Sequence, residues 1–216
     1  MRIVVLGAGG HARVITDLLE RRGYKEERIE LLDDNVIEGS MIFGKRVAGN
    51  LECCLSYPPG TDFIIGIGDN RVRKALSEKY HLSYITLVHP QAVIGKNVSL
   101  GEGTVVMAGA IIQSGSVIGK HCIVNTGATV DHECKVGDYV HISPGCHVGG
   151  GVKIAAESWL GIGSCVKNGI KIEKTCLLGA GGVLVKDVLK EGTYLGVPAK
   201  RMIGVDKQED EGINFN

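Results

Sequence analysis

Three adjacent polar residues interrupt a stretch of glycines and single aliphatic residues. Asp131, His132 and Glu133 directly follow Val130. Turned into a core without partners, they would cost on the order of several kcal/mol, so we expect all three to face solvent. A histidine beside an acid has a partner that raises its basicity and fixes its tautomer, as a general base near neutral pH requires. The residues alone leave two interpretations open, a catalytic base and an ordinary surface histidine.

A glycine-rich turn near the start of the chain is a candidate site for a nucleotide. The segment GAGGHA, residues 7–12, follows a short apolar run and precedes a helical pattern, and it fits G-x-G-x-x-A. Glycines there let the backbone approach a phosphate at the amino end of a helix. Two acids end the next predicted strand, where a carboxylate can hold a ribose hydroxyl, and another glycine turn ends the third. The candidate residues are Gly9, Gly10, His11, Asp33, Asp34 and Gly68.

Three interpretations of this turn remain open: NAD binding, binding of a mononucleotide or nucleotide-sugar, and simple chain reversal. Residues 1–89 make only about half of a doubly wound dinucleotide fold, which favours the smaller ligand. Arg71 and Arg73 follow the second glycine turn. Each is either a phosphate contact or a solvated charge on a helix.

The first 89 residues alternate strand and helix patterns. Short apolar runs that end in glycine or acids predict strands, and apolar residues at helical spacing predict the helices between them. The predicted strands are RIVVLG, ERIELLDD, TDFIIGIGD and SYITLVH, and the predicted helices are HARVITDLLERRG and NRVRKALSEKY. The sequence therefore predicts a small Rossmann-like α/β domain built from βαβ units.

Beyond residue 89 a period of six replaces this alternation. Every sixth residue from Ile94 to Leu184 is Ile, Leu or Val, and the residue four steps later is usually small or β-branched. Sixteen such anchors in succession predict a solenoid of short parallel strands, with each anchor pointing inward. Four cysteines fall in the small inward slot, where cysteine packs as a compact hydrophobe. They are Cys122, Cys134, Cys146 and Cys176.

The composition argues against several classes of protein. The 24 basic and 24 acidic residues balance, and no basic block stands out, so we expect no nucleic-acid partner. No apolar run is long enough for a bilayer, and no signal peptide precedes the first strand, so we expect a cytoplasmic protein without membrane insertion. Seven cysteines without a C-x-x-C pair argue against disulfides and a metal site. The expected partner is a small molecule.

Over nearly its whole length the chain resembles the bacterial sugar O-/N-acyltransferases. These include sialic-acid O-acetyltransferases and N-acetyltransferases of nucleotide-linked 4-amino-4,6-dideoxy sugars. The matching stretches, in family order, are GAGGHA, LLDD, GIGDN, NTGATVDHECKVGDYVHISPG and GVPAKR. The resemblance implies that the repeats form a left-handed parallel β-helix with three hexapeptides to a coil, and that the protein is a homotrimer.

Individual site residues follow from the same resemblance. It implies that His132 is the proton acceptor, that Glu133 increases the basicity of His132, and that His141 lies in the acetyl-CoA site. Further contacts with acetyl-CoA are implied at Gly150, Ile162 and Ala180. Ala180 stands where the family has a glycine.

The expected function is acetyl-CoA-dependent N-acetylation of a nucleotide-activated amino sugar, such as a UDP-4-amino-4,6-dideoxy sugar, by direct transfer. Two alternatives are an O-acetyltransferase acting on sialic acid or another sugar, and a non-catalytic nucleotide-binding scaffold. The expected divisions are a nucleotide-sugar-binding α/β domain at 1–89, a β-helix at 90–189, and a C-terminal turn or strand with a tail at 190–216. The tail is polar from Asp206 and is expected to be disordered.

Overall fold

A computed structural model describes residues 2–202, and the predicted disorder of the tail lies outside them. The N-terminal part contains β1 (Ile3–Leu6), α1 (Gly10–Arg21), β2 (Ile29–Leu32), β3 (Met41–Ile42), β4 (Lys45–Gly49), β5 (Asp62–Ile65) and α2 (Asn70–Lys79), with 3₁₀ turns at Glu26–Arg28 and Leu51–Ser56. None of the helices among these described residues is long and apolar enough to cross a membrane.

The five strands form one sheet in the order β3-β4-β2-β1-β5. β1 is completely buried and pairs in parallel with β2 and β5, which explains its continuous apolar sequence. The hairpin of β3 and β4 was not predicted. Its sequence is too polar to resemble a buried strand. The ammonium group of Lys45 is buried, and its ion pairs with Glu20 and Glu26 offset the cost of removing it from water.

The remaining strands form a tube with three faces, whose strands are parallel except for the antiparallel last pair, Gly192–Leu195 and Lys200–Arg201. We name them the docking face, the open face and the lysine face, in the order in which the chain visits them. The docking face contains Leu87–Val88, Val105–Val106, Ile123–Val124, His141–Ile142, Trp159–Leu160, Cys176–Leu178, Gly192–Leu195 and Lys200–Arg201. The open face contains Val93–Ile94, Ile111–Ile112, Thr129–Val130, His147–Val148, Cys165–Val166 and Val183–Leu184. The lysine face contains Ser99–Leu100, Val117–Ile118, Lys135–Val136, Lys153–Ile154 and Lys171–Ile172.

Before the last hairpin, the strands of the tube pair with the strand one coil later, as Thr129 with His147 and Lys135 with Lys153. The six-residue anchors fill the interior from Val106 onward, and the four slot cysteines are at most 1 % exposed, as predicted. Ile94, by contrast, is 37 % exposed, and Leu100 is only half-buried. Ile94 was therefore wrongly predicted to be inside, whereas Leu100 packs against the edge of the core. Both belong to the first coil, where no earlier coil covers them.

The N-terminal domain packs on the first coils of the docking face. Its core includes three outward residues of that face, Leu87, Val105 and Ile123. The segment SYITLVH, predicted as one more strand of the α/β domain, divides between the two parts. Tyr84 makes a single bridge to Phe63 of β5, whereas Leu87–Val88 pairs with the tube. The two parts together confirm the predicted fold class, an α/β domain followed by an all-β left-handed parallel β-helix.

Candidate active site

The His132 corner, Asp131 to Glu133, joins the open face to the lysine face. All three side chains are exposed, as predicted, with His132 at 59 % and Glu133 at 78 %. Glu133 turns the chain with a φ of 58°, and Asp131 Oδ1 accepts the amide of His132 at 2.8 Å. Beneath the corner, the buried hydroxyl of Ser116 donates to the Asp131 carbonyl and accepts from the Cys134 amide. These bonds fix the backbone from which the imidazole projects.

His132 has one ring nitrogen beside an acid and the other above a glycine. Its Nδ1 lies 3.4 Å from Glu133 Oε2, so the carboxylate can hold a proton on Nδ1 and leave Nε2 free to accept one. A methyl group on Gly150, one coil later, would lie 2.5 Å from Nε2. The amide of Gly150 donates to no acceptor among residues 2–202. The corner therefore places an exposed imidazole against the backbone of Gly150, whose amide has no acceptor among residues 2–202.

His141 lies on the docking face, under the edge of the N-terminal domain. Its Nε2 is 3.1 Å from Asn125 Nδ2, and its ring stacks on Trp159 at 5.5 Å between centroids. Burial, with smaller contributions from the charges of Arg73 and His11, lowers the pKa of His141 to about 3. Burial and Arg73 likewise lower the pKa of His11 to about 4. Both imidazoles are therefore neutral near pH 7.

The two glycine turns lie at the carboxyl edge of the N-terminal sheet. Gly9 and Gly10 begin α1 without a side-chain cap, and the space where their β-carbons would be is open. The first amides of the helix can therefore receive an anion. Asp33 accepts the amides of Ala8 and Asn35, each at 2.8 Å, so it shapes the turn as well as facing it.

Asp34 and Gly68 complete the predicted nucleotide set. Asp34 is exposed and accepts the Leu51 amide, and the β-carbon position at Gly68 is open. Arg71 is exposed, but Arg73 is 1 % exposed and is neither a solvated charge nor free to meet a phosphate. Both interpretations of Arg73 were therefore wrong.

Ile162 and Ala180 occupy successive coils at the corner between the docking and open faces. They line a shallow pocket of about 240 Å³ with Ser143, Trp159 and Leu177. The indole N–H of Trp159 donates to Ser143 Oγ at 2.8 Å. Sequence reasoning missed Trp159 and Ser143. The signal for Trp159 was its place as the chain's one tryptophan at an outward strand position in register with His141.

The predicted site residues do not all meet within one chain. His11, Gly68 and His141 converge where the N-terminal domain meets the docking face, and Ile162 and Ala180 follow along that side. His132, Glu133 and Gly150 lie at the corner between the other two faces. On a three-sided tube, that corner is opposite the docking face. Among the described residues, no group of three His, Cys, Asp or Glu side chains is arranged to hold a metal ion.

Comparisons with known proteins identify relatives of both parts of the chain. Residues 2–80 match the PglD N-terminal domain. The acetyltransferase domain of PglB from Neisseria gonorrhoeae FA1090, in complex with acetyl coenzyme A, is 37 % identical with a TM-score of 0.87, over 93 % of this chain and 98 % of that one. PerB from Caulobacter crescentus, in complex with CoA and GDP-perosamine, is 34 % identical with a TM-score of 0.85, over 94 % and 97 %.

A curated relative, UDP-N-acetylbacillosamine N-acetyltransferase from Bacillus subtilis, is 36 % identical over 112 residues. That match spans 49 % of this chain and about half, 51 %, of the relative. The nearly complete coverage of the two structures, together with the α/β domain and the six-residue coils, confirms the predicted resemblance. The chain belongs to the hexapeptide-repeat sugar N-acyltransferase family.

Proposed function

We propose that this protein is an acetyl-CoA-dependent N-acetyltransferase acting on a nucleotide-linked amino sugar. Relatives that match almost the whole chain are bound to acetyl coenzyme A in one case and to CoA with GDP-perosamine in the other. The curated relative is also named as an N-acetyltransferase of a UDP-linked sugar. These names favour transfer to nitrogen over the O-acetyltransferase alternative. Both UDP and GDP are candidates for the nucleotide that carries the sugar.

The observation that carries this proposal is the exposed His132, with an acid at Nδ1 and Gly150 beneath Nε2. In direct transfer, the sugar amine attacks the thioester carbonyl and a C–N bond forms. Nε2 of His132 accepts the proton lost by that nitrogen. The Gly150 amide is suited to stabilise the oxyanion of the tetrahedral intermediate. When the C–S bond breaks, the imidazolium returns its proton to the thiolate, so His132 ends neutral.

The pocket at Ile162 and Ala180 suits the apolar arm of acetyl-CoA. Trp159 and Leu177 supply its apolar wall, and both are about 40 % exposed (39 % and 42 %) although they lie on the covered face. His141, 3.1 Å from Asn125 Nδ2, stacks on Trp159, which lines this pocket. A neutral imidazole there can contact the acyl group without placing a charge beside it.

The carboxyl edge of the N-terminal sheet suits the nucleotide. The open amides at the start of α1 fit a diphosphate, and the lone pairs that Asp33 leaves unused can accept from a ribose hydroxyl. We propose Gly9, Gly10, His11, Asp33, Asp34 and Gly68 as this binding set.

Because His132 is opposite the docking face, a complete site needs the His132 corner of a second copy. This requirement supports the expected homotrimer, in which each solenoid would bring its corner against the docking side of its neighbour. We also propose a cytoplasmic location. The seven cysteines, all free thiols, fit a reducing compartment.

Thiol release from acetyl-CoA, measured with UDP-, GDP- and dTDP-linked 4-amino sugars, tests the activity. We expect an acetamide product with at least one of them. His132→Asn should lower kcat by about 10³-fold while acetyl-CoA still binds. Turnover that is unchanged in His132→Asn would contradict the proposed base. No turnover with any amino sugar, despite nucleotide binding, would favour the scaffold alternative.

Complementation tests whether two chains share a site. Gly10→Glu places a carboxylate in open space at the start of α1, where it repels a phosphate without opposing the helix. His132→Asn and Gly10→Glu should each be inactive alone. Mixed oligomers should recover about one quarter of the wild-type activity, because random mixing pairs two intact halves at one site in four. No recovery in verified mixed oligomers would mean that one chain forms the whole site.

A further inference from the structure

Arg73 is a buried cation whose hydrogen bonds all go to uncharged oxygens. It lies on α2, is 1 % exposed, and donates from all three of its nitrogens to backbone carbonyls and one amide oxygen. Burial lowers the pKa of Arg73 to about 10, so the guanidinium keeps its charge at neutral pH. Within residues 2–202 no acid forms an ion pair with Arg73. A buried charge without such a partner is costly, and an apolar side chain of similar size would fill the space at less cost. The arrangement therefore calls for a reason other than packing.

The acceptors of Arg73 fall into two groups that belong to different domains. Nη1 donates to the carbonyls of Ile67 and Gly68, at 3.2 and 3.0 Å, in the second glycine turn. Nε and Nη2 donate to the carbonyls of His121 and Tyr139, at 2.7 and 3.1 Å, in the tube. One rigid planar group thus spans the gap between the proposed nucleotide turn and the solenoid.

Asn70 extends the same contact by one coil. Its Oδ1 accepts from Arg73 Nη2 at 2.8 Å, and its Nδ2 donates to the carbonyls of Glu157 and Ser158, each at 3.1 Å. Tyr139 and Glu157 occupy equivalent positions of successive coils along the same corner. Each amide donates to a carbonyl of the preceding coil, Tyr139 to Lys120 and Glu157 to Asp138. The amino end of α2 is therefore fixed to three successive turns of the tube.

The second glycine turn in turn touches the first. A methyl group on Gly7 would lie 2.8 Å from Ile67 Cγ1, so the two turns are in close contact. The charge of Arg73 also contributes to lowering the pKa of His11 and of His141, after the larger effect of burial. Arg73 thus joins the second turn directly to the tube, and the second turn in turn contacts the first.

We propose that Arg73 is a positioning residue that sets the proposed nucleotide turns at a fixed distance from the acyl-binding side of the solenoid. The inference rests on the proposed function but concerns a residue outside the ligand contacts. The proposal predicts different effects on the two substrates. A displaced turn weakens binding of the nucleotide-linked sugar, whereas binding of acetyl-CoA is unaffected because the pocket at Ile162 and Ala180 is built from the tube alone. A residue that served stability alone would not separate them.

Arg73→Lys tests this role because it keeps the charge and loses the planar fork. We expect the KM for the nucleotide-linked sugar to rise at least about 10-fold, and the Kd of the free nucleoside diphosphate, measured by calorimetry, to rise by a similar factor. The KM for acetyl-CoA should change less than about 2-fold. Equal changes in both KM values, or a lower melting temperature with both KM values unchanged, would overturn the proposal.

Lys74→Met is the matched control. Lys74 is the next residue of α2, and its Nζ also reaches the tube, 2.7 Å from Glu157 Oε1, but it does not contact the glycine turn. Its loss should leave the ratio of the two KM values unchanged. If Arg73→Lys does not fold, Asn70→Ser provides the second test, because it removes the bonds to Glu157 and Ser158 and leaves those to Ile67 and Gly68. We expect it to raise the sugar KM selectively by about 3-fold, and no selective change would count against the proposal.

The two proposals fail in different ways. A wild-type protein that neither binds a nucleoside diphosphate nor releases CoA would contradict the proposed function. A wild-type protein that does both, with variants of Arg73 and Asn70 that keep the wild-type KM ratio, would contradict the positioning role alone.

Discussion

The His132 corner and the interface at His141 are built from the same repeat but have opposite surroundings. His132 projects from an uncovered corner with its side chain 59 % exposed. His141 projects from a strand of the same tube and is 8 % exposed, because the N-terminal domain approaches that face. The repeat determines the direction of each side chain. What covers the face determines whether the side chain can carry a charge.

The two regions therefore differ in the ionisable groups that they can hold. At the interface, burial keeps His11 and His141 neutral, and the buried cation nearby is held by carbonyls. At the corner, solvent allows an imidazole and two acids to stand together without a desolvation penalty. In the mechanism we propose, His132 gains and loses a proton in each cycle, which the exposed corner permits, whereas His11 and His141 stay neutral at the interface.

Gly150→Ala should break the corner while leaving the interface intact. The added methyl group would lie 2.5 Å from His132 Nε2, and the exposed ring must swing away from it. We expect kcat to fall about 100-fold, which is about 2.7 kcal/mol of transition-state stabilisation. The melting temperature should change by less than about 2 °C, since only a flexible, exposed side chain has to move.

Asn168→Ala is the control for that variant, because Asn168 occupies the position of Gly150 one coil later and is exposed. Its kcat should stay near the wild-type value. A Gly150→Ala protein with full kcat would show that the ring can move without loss, and His132 would then not be the base.

His141→Gln should change the pH dependence of stability. The pKa of His141 is about 3 in the folded protein and near 6.5 when unfolded, so the unfolded chain binds the proton first as the pH falls. Stability is therefore full above pH 6.5 and is lost below it. His11 and His121, both with a pKa lowered to about 4 chiefly by burial, act in the same direction.

The measurement is the free energy of unfolding by denaturant between pH 6 and pH 4.5. Each of the three buried histidines should contribute about 1.2 kcal/mol per pH unit over this range, and His141→Gln should remove about one such contribution. An unchanged slope would mean that His141 can be protonated in the folded state, and the contrast with the exposed corner would lose its basis.

The sequence was sufficient to predict the tube and the direction of the His132 corner. The tube follows from a period of six, which fails to predict burial where a neighbouring coil is missing, as at Ile94. The direction of the corner follows from the cost of burying three polar side chains without partners. The hairpin of β3 and β4 could not be predicted because it is a polar edge, and the burial of Lys45 depends on acids that are distant in sequence.

The interface was beyond the sequence for a related reason. Arg73 looks like any helix charge until the tube supplies carbonyls from two of its coils. The separation of His132 from the nucleotide turns is equally hidden, because a one-dimensional spacing does not say which face the N-terminal domain covers. A repeat of six residues can be recognised in the sequence, whereas the contact between the N-terminal domain and the tube cannot.

Lys153→Gln sharpens the comparison at the face that adjoins the His132 corner. Lys153 lies in register between Lys135 and Lys171 on neighbouring strands. Like charges placed side by side on a sheet repel. Within residues 2–202 none of these three lysines forms an ion pair with an acid, unlike Lys45, which pairs with Glu20 and Glu26. We expect the free energy of unfolding of this variant at low salt to be about 0.5 kcal/mol higher than that of the wild type. This increase should disappear in 1 M NaCl, because the screening length there is about 3 Å and counterions already suppress the repulsion between the lysines. A gain that persists in salt would instead point to better packing of glutamine, and charge repulsion would not be its cause.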